Sequence, residues 1–357
     1  MNPNWQAYLQ SRHASIQDGR AIHYGNAAAE LASIGSASVL VDLSHLGLIS
    51  FSGEDAQSFL QGQLSCDVRL ATPSAAVYGS YCNPKGRMLA SFLLWGDNGG
   101  GYVMQLPAAL QPAIQKRLFL YVLRAKVRLA DSSDPLVRIG VAGSDADALI
   151  AKVLDKVPDR DLGMFHGEKG SVLRLAEDRF ELLVKAEQGP EVWEGLSKNA
   201  VPVGAPCWDW LQIKAGIPVI TPATQEQFIP QMANLDAIGG ISFQKGCYPG
   251  QEIVARSQYL GKIKRRMYLA NVQPMVPETP VEAGDELFSV DMGEQSSGMV
   301  VNATASPNGG FDMLAVIQTS SIEAGNIHWK ALDGPALEIM PLPYSQTFKP
   351  ANPPANR

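Results

Sequence analysis

The sequence predicts an α+β fold in three domains, and three observations carry that expectation. Two successive stretches share one order of elements: strand, helix, then strands. Beyond residue 260 the pattern changes to short strands separated by Gly, Pro and Asn turns, as in a small barrel. A chain of 357 residues is long enough for two or three such units.

In the first unit, residues 48–52 alternate as a strand does, and Gly53-Glu54-Asp55 opens a helix with acids in its first turn. Ala56, Phe59, Leu60 and Leu64 recur on one helical face. Residues 78–81 and 88–95 read as strands around the Asn83-Pro84-Lys85-Gly86 turn, with a further strand at 102–106. Pro107 is placed at a helix N-terminus, with Leu110, Ile114, Leu118 and Tyr121 as the apolar stripe, and residues 126–129 close the unit. In the second unit a strand at 137–141 leads into a helix capped by Gly143-Ser144-Asp145. Strands at 172–175 and 180–184 and a helix at 191–196 follow. This is the grammar of two ferredoxin-like α+β layers. A helix at 208–215 ends at Gly216 and Pro218. Strands at 266–272, 286–290, 297–301 and 313–318 make the terminal β-barrel. The expected domains are 1–135, 136–260 and 261–347, the first two intertwined, with a disordered Pro-rich tail at 348–357.

Hydrophobic residues at 46% and charged residues at 18% describe a globular chain. The formal net charge of −6 argues against a broad basic face for nucleic acid, so no stable nucleic-acid binding is expected. Cys66, Cys82, Cys207 and Cys247 form no C-x-x-C pair and no close spacing with histidine, so no metal site is expected. The start lacks a basic and apolar signal pattern, and no apolar run reaches membrane-span length. A reducing cytoplasm is the expected compartment.

The run from Lys245 to Arg256, K-G-C-Y-P-G-Q-E-I-V-A-R, carries the most chemical information. Pro249 and Gly250 suit the two corners of a type II turn, and Gln251 onward can run as a short helix. Cys247 then lies near a helix N-terminus with Lys245 two residues away, surroundings that favour thiolate. The same run also reads as a tight turn with a half-buried structural cysteine.

With its neighbours, this run resembles the signature of the YgfZ-type folate-binding proteins, in the family that includes the glycine cleavage T-protein. The supporting blocks are Leu60-Gln61-Gly62-Gln63-Leu64, Lys85-Gly86-Arg87-Met88, Ala215 to Ile220, Phe228 to Gln231 and Asn234-Leu235. Gly239 to Phe243 and Pro341 to Ser345 complete them, so the likeness spans roughly residues 40 to 345. The resemblance implies three domains in a ring about a tetrahydrofolate cavity. It further implies support of iron–sulfur cluster assembly or repair in client enzymes, including those that modify tRNA, with Cys247 as the functional thiol.

Trp208 matches a tryptophan that such proteins use against folate; the alternative is a core tryptophan of an amphipathic helix. A second aromatic would fall near Leu46, where this chain has Ser44-His45-Leu46. Asn234, with Gln231 and Gln251, is expected at the pterin edge, because amides both donate and accept. Lys245, Tyr248, Glu252 and Arg256 complete the candidate cofactor site. The basic run from Gly261 to Arg266 suits a glutamate tail or a solvated strand edge. Where the T-protein has paired aspartates, this chain has Ala90 and Ser91, and neither can serve as a base. Folate-dependent aminomethyl or other one-carbon transfer is therefore the second reading, with Asp67 as its fallback acid. Direct RNA binding is the third.

Overall fold

The computed structural model describes residues 1–154, 156–259, 263–276 and 279–346. The expected tail at 348–357 lies outside them. The fold is mixed α+β, with three large sheets.

The first sheet is antiparallel, with strands Ala76–Cys82, Met88–Gly96, Tyr102–Pro107, Leu46–Ser52 and Arg128–Asp131 in spatial order. The second runs Met164–His166, Ser171–Ala176, Arg179–Lys185, Leu136–Ala142, Val39–Asp42, Val201–Val203, and only the last pair is parallel. These two sheets pack face to face through Val41, Leu48, Leu93, Trp95, Leu173 and Leu183. Helices Ala56–Gln61 and Gln111–Phe119 pack on the far side of the first sheet through Phe59, Leu60, Ile114 and Leu118. On the far side of the second lie Pro3–Ser11, Ala146–Leu154 and Gly189–Ser197, through Trp5, Leu9, Ile150 and Trp193. A strand such as Leu136–Ala142 is therefore covered on both faces, which is why it reads as an unbroken apolar run apart from Arg138.

The chain crosses between the layers. Residues 1–44 precede the first sheet yet supply Val39–Asp42 to the second. The N-terminal helix is capped by Asn2, whose side chain accepts from the amides of Asn4 and Trp5, with Pro3 at its first position. Pro107 ends a strand rather than starting a helix; the helix begins at Gln111, with Pro112 in its first turn. Tyr121 lies past its end and is exposed, not part of the stripe.

The third sheet, Ile327–Trp329, Glu286–Ser289, Ser296–Ala305, Phe311–Gln318, Arg265–Val272, Leu337–Met340, curls into a half-barrel. The expected closed barrel stops short because its edge strands are only three and four residues long. A single bridge, His328 to Ala336, joins the ends. Among the described residues no helix is long and apolar enough to cross a membrane.

Residues 215–250 hold no helix or strand, so their backbone groups need other partners. Ser91 Oγ donates to the Pro218 carbonyl and accepts from the Ile220 amide, both at 3.0 Å. The Asn302 amide brackets Val219, accepting from its N–H and donating to its C=O at 2.8 Å each. Asn234, held at φ +58°, clamps Met267 of the half-barrel in the same two-way fashion.

Candidate functional site

A cavity of about 620 Å³ opens between one end of the first sheet, helix Ala205–Lys214 and the half-barrel, a size suited to a small organic ligand. Arg20, on the hairpin formed by strands Ser15–Gln17 and Arg20–His23, the 44–46 turn, helix Ala205–Lys214, the 217–221 segment, residues 281–283 and residues 302–303 of the half-barrel all reach it. Four residues of its wall carry a buried polar atom with no protein partner among the described residues: Trp208 Nε1, His45 Nδ1, Gln212 Oε1 and Arg20 Nε. Such atoms are costly to leave unpaired, so they mark where a polar ligand is welcome. Burial, with Arg20 and Arg138 adding to it, pushes the His45 pKa well below its usual value and keeps the ring neutral. Arg20 pairs with Asp209; burial raises the Asp209 carboxyl pKa and Arg20 pulls it back.

Trp208 joins the cavity wall through a narrow part of its surface, being only 1% exposed. A Cβ on Gly140 would come within 2.7–3.0 Å of the ring's Cε3, Cζ3 and Cη2 atoms, so that edge is packed against the second sheet. The Arg179 guanidinium stands 5.8 Å from the ring centroid. Trp208 is a core tryptophan, and among the described residues its indole N–H has no partner. His45, noted in the sequence as a departure, lines the same wall. Gln212 and Asp209 were not singled out, although both share the helix of Trp208 at its spacings of i+4 and i+1.

The other sequence candidates gather elsewhere. Gln251 N–H donates to the Tyr248 carbonyl at 3.1 Å across a turn with Gly250 at φ +82°, the type II geometry read from Pro249-Gly250. Helix Gln251–Tyr259 follows. A Cβ at Gly250 would stand 2.5 Å from the Asn83 carbonyl oxygen and 2.6 Å from Gly86 Cα, so the signature turn interlocks with the 83–86 turn. Lys245 is buried, bonds to the Leu64 carbonyl, and lies 5.0 Å from the Tyr248 ring centroid. Burial lowers its pKa to about 8, opposed by Cys66 and Asp67. Tyr248 is buried, its hydroxyl has no partner among the described residues, and burial raises its pKa. Cys247, between them, is exposed.

Gln231 donates to the Val254 carbonyl at 2.6 Å, inside the signature helix. Asn234 and Gln231 are thus engaged within the protein, and neither lines the 620 Å³ cavity. Gln251 is half-buried, while Glu252 and Arg256 are exposed and 3.9 Å apart. Of the basic run, Gly261 and Lys262 lie outside the described residues, and Arg266 is committed to Asp236 by bonds of 2.7 and 2.9 Å. Asp67 is held by Arg69 and Gln61, with its pKa lowered to about 2, and is absent from the cavity wall.

The remaining cysteines, Cys66, Cys82 and Cys207, are buried, and desolvation pushes each thiol up to about 12. Native protein treated with iodoacetamide near neutral pH is expected to label at Cys247 first, with the other three reacting only on unfolding. Peptide mass spectrometry that finds Cys247 slowest would remove it as the accessible thiol.

The GCVT N-terminal domain profile matches residues 6–242, ending just before the signature. A tRNA-modifying protein YgfZ from Enterobacter sp. (strain 638) is 33% identical over 311 residues, covering 86% of this chain and 93% of that protein. The chain belongs to the YgfZ family. A second YgfZ protein, from Pectobacterium carotovorum subsp. carotovorum (strain PC1), is 33% identical over 89% of this chain and 95% of its own length. Among solved structures, the glycine cleavage system aminomethyltransferase T from Bartonella henselae superposes with a TM-score of 0.73. It covers 98% of this chain and 99% of that one at 18% identity, a likeness of fold. The run from Lys245 to Arg256, which displays Cys247, lies beyond the matched domain and outside the cavity, and residues within 6–242 supply most of the cavity wall.

Proposed function

We propose that this chain is a folate-binding accessory protein that supports iron–sulfur cluster assembly or repair in client enzymes, and that it serves tRNA modification as its relatives' name describes. The finer arrangement, two ferredoxin-like layers and a half-barrel set as a ring, belongs to this reading, with the cavity at the centre. The observation that carries it is the cavity wall. Trp208 Nε1 offers a donor, Gln212 Oε1 an acceptor and the neutral His45 ring either role, which matches the alternating edge of a pterin. Arg20 is the one Arg or Lys of that wall among the described residues, and Asp209 already holds it. A glutamate tail is therefore left to the solvent mouth.

Tetrahydrofolate, once bound, supplies a flat heterocycle and a carrier for one-carbon units; the protein's part is to orient it and keep water out. Titration with tetrahydrofolate should quench tryptophan fluorescence. Trp208→Phe keeps most of the packing but removes the Nε1 donor, so affinity should fall about 2- to 13-fold, the worth of one hydrogen bond of about 0.5–1.5 kcal/mol. Equal affinity in Trp208→Phe and in Gln212→Leu would move folate out of this cavity.

Aminomethyl transfer is not expected. Ala90 is fully buried in a strand, and both bonds of Ser91 Oγ serve the 218–220 backbone. Purified protein given tetrahydrofolate and a lipoyl-bound aminomethyl donor should show no turnover above background. If turnover appears, Asp209 rather than Asp67 is the carboxylate to test, because it lines the cavity.

A further inference from the structure

We infer that the mouth of the cavity selects folates with a short glutamate tail, because Asp18 and Glu282 place two unpaired carboxylates on its rim. The inference rests on the folate reading above and adds to it a preference for tail length.

Both residues line the cavity and both are exposed, which puts them at its mouth rather than its floor. Asp18 and Gly19 make the two-residue turn between strands Ser15–Gln17 and Arg20–His23, at φ +49° and +71°. Two left-handed residues are what so tight a hairpin requires, and Asp-Gly is a favoured pair for it. The next residue, Arg20, ties this tip to the helix of Trp208 through Asp209. Glu282 precedes strand Glu286–Ser289. Its amide donates to Asp285 Oδ2 at 2.9 Å, and the Gly284 amide donates to Val300 O at 2.8 Å, which ties the segment to the half-barrel. Neither rim carboxylate has a partner among the described residues.

No cation on the wall offsets them. Three carboxylates line it, Asp18, Asp209 and Glu282, against the single guanidinium of Arg20, and the His45 ring is neutral. Among the described side chains that leaves a surplus of two negative charges. Lys214, on the same helix as Trp208, lies 5.8 Å from the Trp210 ring centroid and 3.9 Å from Asp312, off the wall. Lys264, Arg265 and Arg266, from the basic run, are absent from it too. Each glutamate added to a folate brings one more carboxylate toward this rim. Two like charges about 8 Å away lower affinity about 2-fold in ~0.15 M salt and about 4-fold in ~0.01 M.

Isothermal titration of the full chain with tetrahydrofolate monoglutamate and triglutamate tests this. The triglutamate should bind about 2-fold more weakly, or worse, in ~0.15 M salt, and the gap should widen in ~0.01 M. Asp18→Asn, which suits the left-handed turn as aspartate does, combined with Glu282→Gln should bring the two affinities together. Glu282→Lys beside Asp18→Asn should reverse their order. Thermal melting of each variant separates a changed rim from a changed fold. A wild-type chain that binds the triglutamate as tightly as the monoglutamate overturns the inference, as does a folded double variant that keeps the wild-type ratio. Monoglutamate binding that is absent, or unchanged in both Trp208→Phe and Gln212→Leu, removes the folate reading and this inference with it.

Discussion

Cys247→Ser is expected to reduce cellular function to the level of a deletion strain while leaving fold and folate binding intact. The side chain is exposed, and replacing sulfur by oxygen there should change stability by no more than about 0.5 kcal/mol. Function is another matter, because a serine hydroxyl does not ionise near neutral pH and binds iron or sulfur poorly. Activity of an iron–sulfur tRNA-modifying enzyme, measured in the deletion strain carrying either copy, is the readout. Full rescue by the serine variant, at equal protein level, would sink the thiol's role and leave folate binding as the whole of the proposal.

Asp236→Ala should produce the largest loss of stability. Its carboxylate is fully buried and forms a bidentate pair with Arg266, whose side chain is 12% exposed. Removing one partner strands a buried guanidinium, at a cost of about 3–5 kcal/mol. The effect should also travel. Arg266 donates to the Gln231 carbonyl at 2.9 Å, and Gln231 donates to Val254 O, so one chain of bonds ties the half-barrel to the signature helix. Amide exchange in residues 251–259 should therefore quicken with the fall in denaturation midpoint. Asp236→Leu combined with Arg266→Met should recover much of the loss, since neither charge then remains buried. A single variant within about 1 kcal/mol of wild type would show the pair to be dispensable.

Much of this architecture was legible because its signals are local. Strand Leu46–Ser52 announces itself by alternation, strands Ala76–Cys82 and Met88–Gly96 by the Asn83-Pro84-Lys85-Gly86 turn between them, and the Pro249-Gly250 turn by the φ values its two residues accept. Helix Pro3–Ser11 is equally local in its signals, with Asn2 and Pro3 at its start and Trp5 and Leu9 four apart. The swap of Val39–Asp42 into the second sheet was not legible, because strand partners are chosen by tertiary packing rather than by strand composition. The same limit governs the site. Whether an amide faces a ligand or a backbone depends on what lies across the gap, and for Asn234 that is Met267, brought in by the half-barrel. Gln212 carried no mark in sequence at all; only the folded cavity shows its oxygen without a partner.

The interlocked glycine turns bear on how the protein comes to life as it folds. Gly250 and Gly86 are far apart along the chain yet touch through backbone atoms, with no side chain between them. Closing so long a loop costs entropy that packing elsewhere in the fold must offset. The turn that carries Cys247 is thus seated on a distant part of the chain, and presentation of its exposed thiol depends on the tertiary fold and not on the local sequence alone.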